Sequence, residues 1–310
     1  MSIIIPAYDV APYIAETLAS VLNQTYPSWE AIVVNDGSTD TSELEAALLP
    51  FRDRITYISQ PNRGAGAARN SGIAVARGEW LAFLDGDDYW MQNNLECQLA
   101  QLVTRQLDMV WSGGLVIGAT VLAGKPITYL GKCRGEITLD SLILGRVHVP
   151  NSGTIVRRRC VTAIGGLDET LRRGQDFDLW VRLLNSGVRA GYHGAQLLRY
   201  RVRPGNLSGD ILAQVDRELK VLNRLRDKRI LPAAQAQTIE RRLVELQAIE
   251  ASTRGKRQLA ARQYAAASSL FKHSLRLQPT AKMRAIVWLL PLMAPCLRWL
   301  SLARTPKEFR

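Results

Sequence analysis

Gly78-Glu-Trp-Leu-Ala-Phe-Leu-Asp-Gly-Asp-Asp88 is an apolar run that ends in acid, delivering Asp85, Asp87 and Asp88 within four residues. Three carboxylates this close repel one another unless a positive group is shared. Carboxylate oxygens are the ligands that Mg²⁺ and Mn²⁺ take, usually together with substrate phosphates. A second run, Glu30-Ala-Ile-Val-Val-Asn-Asp36, also ends on a carboxylate and passes into Gly37-Ser-Thr-Asp40. In an open α/β sheet, ligands collect beyond the carboxyl ends of strands. Two acidic strand ends within the first ninety residues therefore suggest a nucleotide and metal site built early in the fold. The competing reading of each is an ordinary turn, since Asp-Gly is a strong turn signal.

Outward from these runs, strand and helix patterns alternate. Ser2 to Ile5, Ala31 to Val34, Ile55 to Ile58 and Trp80 to Leu84 read as strands. Pro12 opens a helix with Ile14, Leu18, Val21 and Leu22 at helical spacing; Thr39 to Leu49, capped by Asp40 or Ser38, and Ala65 to Ala76 and Leu95 to Leu107 read as helices. Repeated βα units predict a largely parallel sheet. The next hundred residues are less regular. Strands are expected at Met109 to Leu122 and Ile127 to Leu130, with bends at Gly113-Gly114 and Gly124. A short strand at Thr154 to Val156, a helix at Asp176 to Leu184 and a closing strand at Leu198 to Val202 complete this part.

After Pro204-Gly-Asn-Leu-Ser-Gly209 the texture changes to long helical stretches, Ile211 to Arg226, Pro232 to Ala251, Lys256 to Leu277 and Met283 to Leu302. Arg262 to Pro279 resembles half of a tetratricopeptide repeat. Stable arrays need several stacked units, so an ordinary amphipathic helix is the preferred reading.

The formal charge of +12 over 310 residues is unevenly spread. Residues 1–214 carry 20 Lys+Arg against 21 Asp+Glu, and residues 215–310 carry 20 against 7, so the last third holds the whole excess. That asymmetry marks a domain boundary and bears on partners. Cys97, Cys133, Cys160 and Cys296 form no CxxC pair or Cys/His ligand spacing, which fits a reducing compartment. The chain starts directly on a strand pattern, and a cytoplasmic location is expected. The longest apolar run, Ala285 to Leu297, has 13 residues and contains Pro291 and Pro295, short of the roughly 20 needed to span a bilayer.

Three further segments carry candidate chemistry. Asn62-Arg-Gly-Ala-Gly-Ala-Ala-Arg-Asn-Ser-Gly72 begins like a dinucleotide fingerprint, but Arg69 stands where the third glycine belongs. What remains is a Gly-rich helix entry with Arg63, Arg69 and Asn70, suited to a diphosphate or nucleotide through a helix terminus and a guanidinium fork. Arg172-Arg-Gly-Gln-Asp-Phe-Asp-Leu-Trp180 sets Asp176 at a helix start, where a cap is the default role. Asp36 serves either a turn or a nucleotide base, whose imide N–H a carboxylate can accept. His148, His193 and His273 have no partners at metal or triad spacing.

Taken in order, Ile3-Ile-Ile-Pro-Ala-Tyr-Asp9, Val33-Val-Asn-Asp-Gly-Ser-Thr-Asp40, Gly64 to Gly72, Leu84-Asp-Gly-Asp-Asp88, Gly165-Gly-Leu-Asp-Glu169 and Gln175-Asp176 resemble the family 2 glycosyltransferases, inverting enzymes with the GT-A fold. The resemblance covers roughly Ile3 to Arg203. It implies an α/β fold of GT-A type, a Rossmann-like, mixed and mainly parallel sheet flanked by helices, with a C-terminal helical extension. The catalytic domain would span 1–209, with a nucleotide-sugar half to about 107 and an acceptor half over 108–209, and a basic helical region would span 210–310. By the same resemblance Pro6, Ala7, Tyr8, Asp36, Arg69, Asp85 and Gly86 would contact the nucleotide sugar. Asp85 and Asp87 would form the DXD-type motif for Mn²⁺ or Mg²⁺, Asp176 would be the base, and Gln175 and Trp180 would meet the acceptor. Two departures stand out: Asp9 where the family often has Asn, and Gln175 where it usually has Glu.

The expected reaction is in-line displacement of a nucleoside diphosphate, UDP being the expected one, from a sugar's anomeric carbon by a glycan or lipid-linked acceptor hydroxyl, in cell-envelope or exopolysaccharide synthesis. The basic tail fits peripheral attachment to an anionic membrane surface, the inner face of the plasma membrane, and equally fits the exposed face of a helical bundle. Two other classes remain in view. A sugar-nucleotide nucleotidyltransferase would show a Gly-rich motif with Arg and Lys after the first strand, where this chain has Pro6-Ala-Tyr-Asp9. An RNA-binding protein would rest on the tail's charge alone, without a recognition motif, so no nucleic acid is expected.

Overall fold

An unbroken apolar run without polar alternation makes a strand that is covered on both faces. β1 (Ser2–Ala7) is such a strand, with Ile3, Ile4 and Ile5 fully buried. The computed structural model describes residues 1–127, 137–203, 211–228 and 230–290, in two compact units, Met1–Asn206 and Leu207–Arg310. In the first unit β1 lies between β2 (Glu30–Asp36) and β4 (Trp80–Phe83), both parallel to it, and β3 (Ile55–Gln60) pairs in parallel beyond β2.

The rest of the sheet is mixed. β7 (Thr154–Arg157) runs antiparallel to β4 and to β6 (Met109–Ile117), β8 (Ala190–Arg201) is parallel to β6, and the two-residue β5 (Tyr89–Trp90) is antiparallel to β8. The order is β3-β2-β1-β4-β7-β6-β8-β5. Successive strands step one way from β1 to β2 and β3, and the other way to β4. The boundary between β1 and β4 is therefore the topological switch point at which such sheets bind ligands.

Helices flank this sheet: α1 (Ala11–Leu22), α2 (Thr41–Leu48), α3 (Ala65–Val75), α4 (Asn94–Thr104), α5 (Leu139–Ile143), α6 (Arg158–Ala163) and α7 (Gln175–Asn185). α1 buries Ile14, Leu18 and Val21 against β1 and β4 residues, as its spacing predicts. α3 carries so many small residues because it lies flat on the sheet; a Cβ at Gly72 would stand 2.9 Å from Ile4 Cγ2.

Several expectations shift. The bend expected at Gly113-Gly114 takes the form of two register slips in the β6–β8 ladder. β6 stops at Ile117, five residues short of the expected Leu122, and residues 128–130 of the expected strand Ile127 to Leu130 lie outside the described residues. β8 begins at Ala190, eight residues before the expected Leu198, because pairing with β6 holds a stretch whose Gly and Gln residues show no alternation. Asp40 occupies the cap position of α2, yet its side chain makes no cap bond there. Its carboxylate accepts instead from Ala11 N–H (2.9 Å), the first residue of α1, and from Ser38 Oγ (2.5 Å).

The second unit contains α8 (Ile211–Asp227), α9 (Ala233–Ala260), α10 (Tyr264–Leu277) and a helical segment over 281–290. α9 runs through the expected break at 252–255. Gly255 is a packing site, where a Cβ would stand 2.6 Å from Phe271 Cε1 of α10, so it admits a close helix crossing. Ala267, Phe271, Met283 and Leu290 form the local core. Pro291, Pro295 and the remainder of the expected helix Met283 to Leu302 lie outside the described residues, as do Cys133, Cys296 and Pro204 to Gly209. Among the described residues, no helix is long and apolar enough to cross a membrane.

Candidate active site

β1 and β4 end side by side, and each end is followed by a turn that the other must accommodate. Gly86 sits flush on β1, since a Cβ there would lie 3.0 Å from Val10 Cγ2 and 3.1 Å from Pro6 O. Thr17 Oγ1 of α1 lies within hydrogen-bond reach of the Gly86 and Asp88 carbonyls (3.0 and 2.7 Å), pinning the acidic turn from below. On its other flank the antiparallel register Phe83↔Thr154 brings Ser152 to Asp85, whose N–H donates to Ser152 Oγ (2.8 Å).

The three carboxylates of the turn meet three different fates. Asp85 Oδ1 accepts from Arg69 Nη2 (2.6 Å) and Asn151 Nδ2 (3.3 Å), and its side chain stays 30% exposed. Asp87 pairs through Oδ2 with Arg203 Nε (2.7 Å). Burial raises its pKa, against the opposing pull of Arg203 and helped by the neighbouring charge of Asp85. Asp88 is buried and accepts from Arg201 N–H (2.7 Å), tying the turn to the end of β8. Burial, then the charges of Asp87 and Asp85, push its carboxyl well above the ordinary value. Asp88 therefore shapes the turn, and Asp85 and Asp87 are the two whose side chains keep some exposure, 30% and 14%.

Arg201 and Arg203 are site residues that the sequence reading missed. Arg201 also donates to Asp87 O (2.8 Å) and pairs with Glu16, and both guanidinium groups lie over the Tyr13 ring at 4.9 and 5.6 Å. No spacing rule marks them, because β8 reaches the acidic turn only through the sheet.

The second acidic strand end is built differently. Asp36 is buried, and its carboxylate accepts from Gln60 Nε2 (2.7 Å), Arg63 N–H (3.0 Å) and Gly64 N–H (2.7 Å). It holds the Gly-rich entry of α3 in place, so at least three of its acceptor positions are already engaged. Gly37 has φ +65, and a Cβ would come within 2.6 Å of Asn62 N, a demand only glycine meets. Asp9, also at positive φ, accepts from Thr39 N–H (2.9 Å) and Thr39 Oγ1 (2.7 Å), which joins the residues after β1 to those after β2. Of the expected nucleotide contacts at the end of β1, Ala7 is buried, Pro6 is half-buried and Tyr8 is 42% exposed.

α3 links the two halves. Asn70 Nδ2 donates to Leu167 O (2.8 Å) and its Oδ1 accepts from Leu167 N–H (2.9 Å), while Glu169 pairs with Arg63. The Gly165 to Glu169 segment is thereby clamped to α3. Its continuation brings the start of α7 against the start of α3, with Gln175 Cγ 3.4 Å from the position of a Cβ on Gly66. Gln175 is buried there, and its Oε1 has no partner. Asp176 is half-buried in the first turn of α7 and accepts from Phe177 N–H (2.8 Å). Trp180 needs correction as an acceptor contact: it is 1% exposed, with its ring edge-on to Phe83 at 6.0 Å, which makes it a core residue of the α7 inner face.

The profile described as "Glycosyl transferase family 2" matches residues 2–161, just over half of the chain. The chain belongs to that family. An uncharacterized glycosyltransferase of Rickettsia felis is 35% identical over 59% of the chain, which spans 31% of that protein's length. WfgD of Escherichia coli, a UDP-Glc:alpha-D-GlcNAc-diphosphoundecaprenol beta-1,3-glucosyltransferase, is 29% identical over 72% of the chain and 85% of its own length. TuaG of Bacillus subtilis, a putative teichuronic acid biosynthesis glycosyltransferase, is 30% identical over 68% of the chain and 82% of its own length. Among solved structures, S. aureus TarS 1–349 in complex with UDP superposes with TM-score 0.62 at 18% identity, covering 95% of this chain and 86% of that one. The mannosyltransferase PcManGT of Pyrobaculum calidifontis, in complex with GDP-Man and Mn²⁺, gives TM-score 0.62 at 18% identity over 96% and 86%. The fold of this family 2 chain is thus the one seen in GT-A glycosyltransferases.

Proposed function

We propose that this chain is an inverting glycosyltransferase that moves a sugar from a nucleotide-diphosphate sugar, a UDP-sugar, to the hydroxyl of a glycan or lipid-linked acceptor in cell-envelope or exopolysaccharide synthesis. The observation that carries the reading is that α3 touches both the acidic turn, through Arg69 on Asp85, and the start of α7, through Gly66 against Gln175. The UDP-Glc donor in the name of WfgD supports the UDP-sugar, the names of WfgD and TuaG support the envelope-glycan setting, and TarS, which shares the fold, is bound to UDP.

The donor set fits a divalent cation shared with a diphosphate rather than a cage made by protein alone. Asp85 and Asp87 offer hard oxygen ligands, but no group of three His, Cys, Asp or Glu residues among the described residues could hold a metal ion by itself. Asp85 and Asp87 would hold Mn²⁺ or Mg²⁺, which when bound supplies charge neutralisation for the departing diphosphate. Arg69 adds fixed positive charge at the same place. Tyr8, Pro6, Gly86 and the backbone of Ala7 line the nucleotide end, and Asp36 fixes the loop entering α3. Asp176 accepts the acceptor's proton as its oxygen attacks the anomeric carbon. The bond from that carbon to the diphosphate oxygen breaks in the same step, and the configuration inverts. A general base at this point contributes typically about 10²–10⁴ in rate.

Asp176→Asn and Asp87→Ala separate the roles. Both variants are expected to lose sugar transfer, and only Asp87→Ala to lose metal-dependent donor binding measured by calorimetry. Near-normal turnover of purified Asp176→Asn removes it from the base role.

The second unit bears on where the acceptor is met. Trp288 is 71% exposed on the helical segment 281–290, beside Lys282 and Arg284, within a region of net +13. An exposed aromatic among cations suits an anionic bilayer surface. Flotation with anionic liposomes is expected to carry the full chain and to lose a chain lacking residues 280–310; equal flotation of both ends the membrane reading.

A further inference from the structure

The turn between α5 and β7 holds one polar group whose orientation is fixed and whose second half is unused. Thr154 N–H donates to Asn151 O (3.1 Å), Thr154 Oγ1 to Pro150 O (2.5 Å), and Gly153 N–H to Phe83 O (2.9 Å), with Gly153 at φ +87. These bonds fasten residues 150–154 to the end of β4. Asn151 is 8% exposed. Its Nδ2 points at Asp85 Oδ1, the oxygen that also accepts from Arg69. A carboxylate accepts only, so the amide nitrogen must face it and the carbonyl oxygen must face away. That Oδ1 is buried and has no hydrogen-bond partner. Leaving a buried acceptor unmade costs free energy that an incoming donor group recovers.

We propose that Asn151 reads the sugar of the donor, accepting a hydrogen bond from a ring hydroxyl or an N-acyl N–H of the transferred sugar, and so sets which sugar is accepted. This rests on the glycosyltransferase reading above and deepens it. The chemistry of a nucleotide sugar narrows the choice of group. Ionised phosphates offer no donor, and the base lies at the far end of the diphosphate from the sugar. The donor groups nearest a diphosphate are the ribose hydroxyls on one side and the hydroxyls or N-acyl N–H of the transferred sugar on the other, and titrating UDP, which carries only the ribose, beside the UDP-sugars separates the two. Asp85 is partly exposed, so a ring placed at its rim reaches the neighbouring amide by a small side-chain adjustment, common when ligands bind. A site built to bond a hydroxyl discriminates strongly against an analogue that lacks or misplaces it, because the buried acceptor is left unpaired.

The test is calorimetry on the full chain with Mn²⁺, titrating UDP, UDP-glucose, UDP-galactose and UDP-N-acetylglucosamine into wild type, Asn151→Ala and Asn151→Ser. The expected result is that UDP affinity stays within about twofold, while affinity for the preferred UDP-sugar relative to UDP falls roughly 10- to 100-fold in both variants. Binding of UDP reports that each variant is folded. Equal loss for UDP and UDP-sugar overturns the proposal, because Asn151 then serves the nucleotide or supports Asp85; unchanged affinities overturn it as well. Failure of wild type to bind any of the four ligands sinks the UDP-sugar donor reading on which the proposal rests, a result distinct from normal UDP-sugar binding that is indifferent to Asn151.

Discussion

Replacing Arg69 by Met tests whether the acidic turn depends on an internal cation. The Arg69 side chain is 6% exposed and its Nη2 stands 2.6 Å from Asp85 Oδ1. With the guanidinium gone, Asp85 keeps only the Asn151 amide and sits beside Asp87 and Asp88. Removing one partner of a buried ion pair costs about 3–5 kcal/mol; the partial exposure of Asp85 lets water return and lowers the expectation to about 2–3 kcal/mol. For a unit of this size each kcal/mol moves the melting temperature by about 2–4 °C, so Arg69→Met should melt roughly 4–12 °C lower. Asp85→Asn should cost a similar amount by stranding Arg69. The double variant removes both charges, and its loss should fall short of the sum of the singles by about 1–2 kcal/mol or more. Urea unfolding followed by tryptophan fluorescence gives all three values. Additive losses, or an Arg69→Met loss under about 0.5 kcal/mol, would refute the internal-cation account.

Gly37→Ala forces a Cβ to 2.6 Å from Asn62 N at φ +65, so a loss of at least about 1–2 kcal/mol is expected on thermal unfolding; a change within about 0.3 kcal/mol would mean the Asp36 loop has another accessible path. Glu30 supplies a pH test. Burial pushes its carboxyl up, but hydrogen bonds from Ser2 Oγ, Arg77 N–H and Nε, and Gly78 N–H outweigh burial and leave the pKa below the ordinary value. The unfolded chain then binds its proton at a higher pH than the native one. The Glu30 contribution is full above the ordinary Glu value of about 4.3 and is lost as pH falls through the lowered one. The stability gap between wild type and Glu30→Gln should be constant from pH 6 to 8 and shrink on acidification below about pH 4.3; a gap that widens there contradicts the sign.

The parallel half of the sheet was legible because its strands are buried on both faces and so read as continuous apolar runs, with Ile3 to Ile5 and Ala31 to Val34 unambiguous. The acidic ends at Asp36 and Asp85 to Asp88 stood out because each closes such a run, but the structural work of Asp36 on the α3 entry and of Asp88 on the end of β8 shows only in the fold. Trp180 misled because an aromatic one turn after Asp176 fits a pocket wall as well as a core; its packing on Phe83 depends on which face of α7 meets the sheet. Asp40 misled because a cap residue is recognised by position, whereas its bond from Ala11 joins the starts of two helices distant in sequence.

Local pattern determined the βα alternation, the switch to long helices after residue 209 and the identity of the acidic turn, because burial periodicity and turn chemistry act over a few residues. Only the tertiary structure decided what that turn meets. The antiparallel insertion of β7 beside β4 delivers Asn151 and Ser152, and the end of the long β8 with the two residues after it delivers Arg201 and Arg203. Pairing register is set by the whole sheet's burial and connectivity, and no single segment contains the information that sets it.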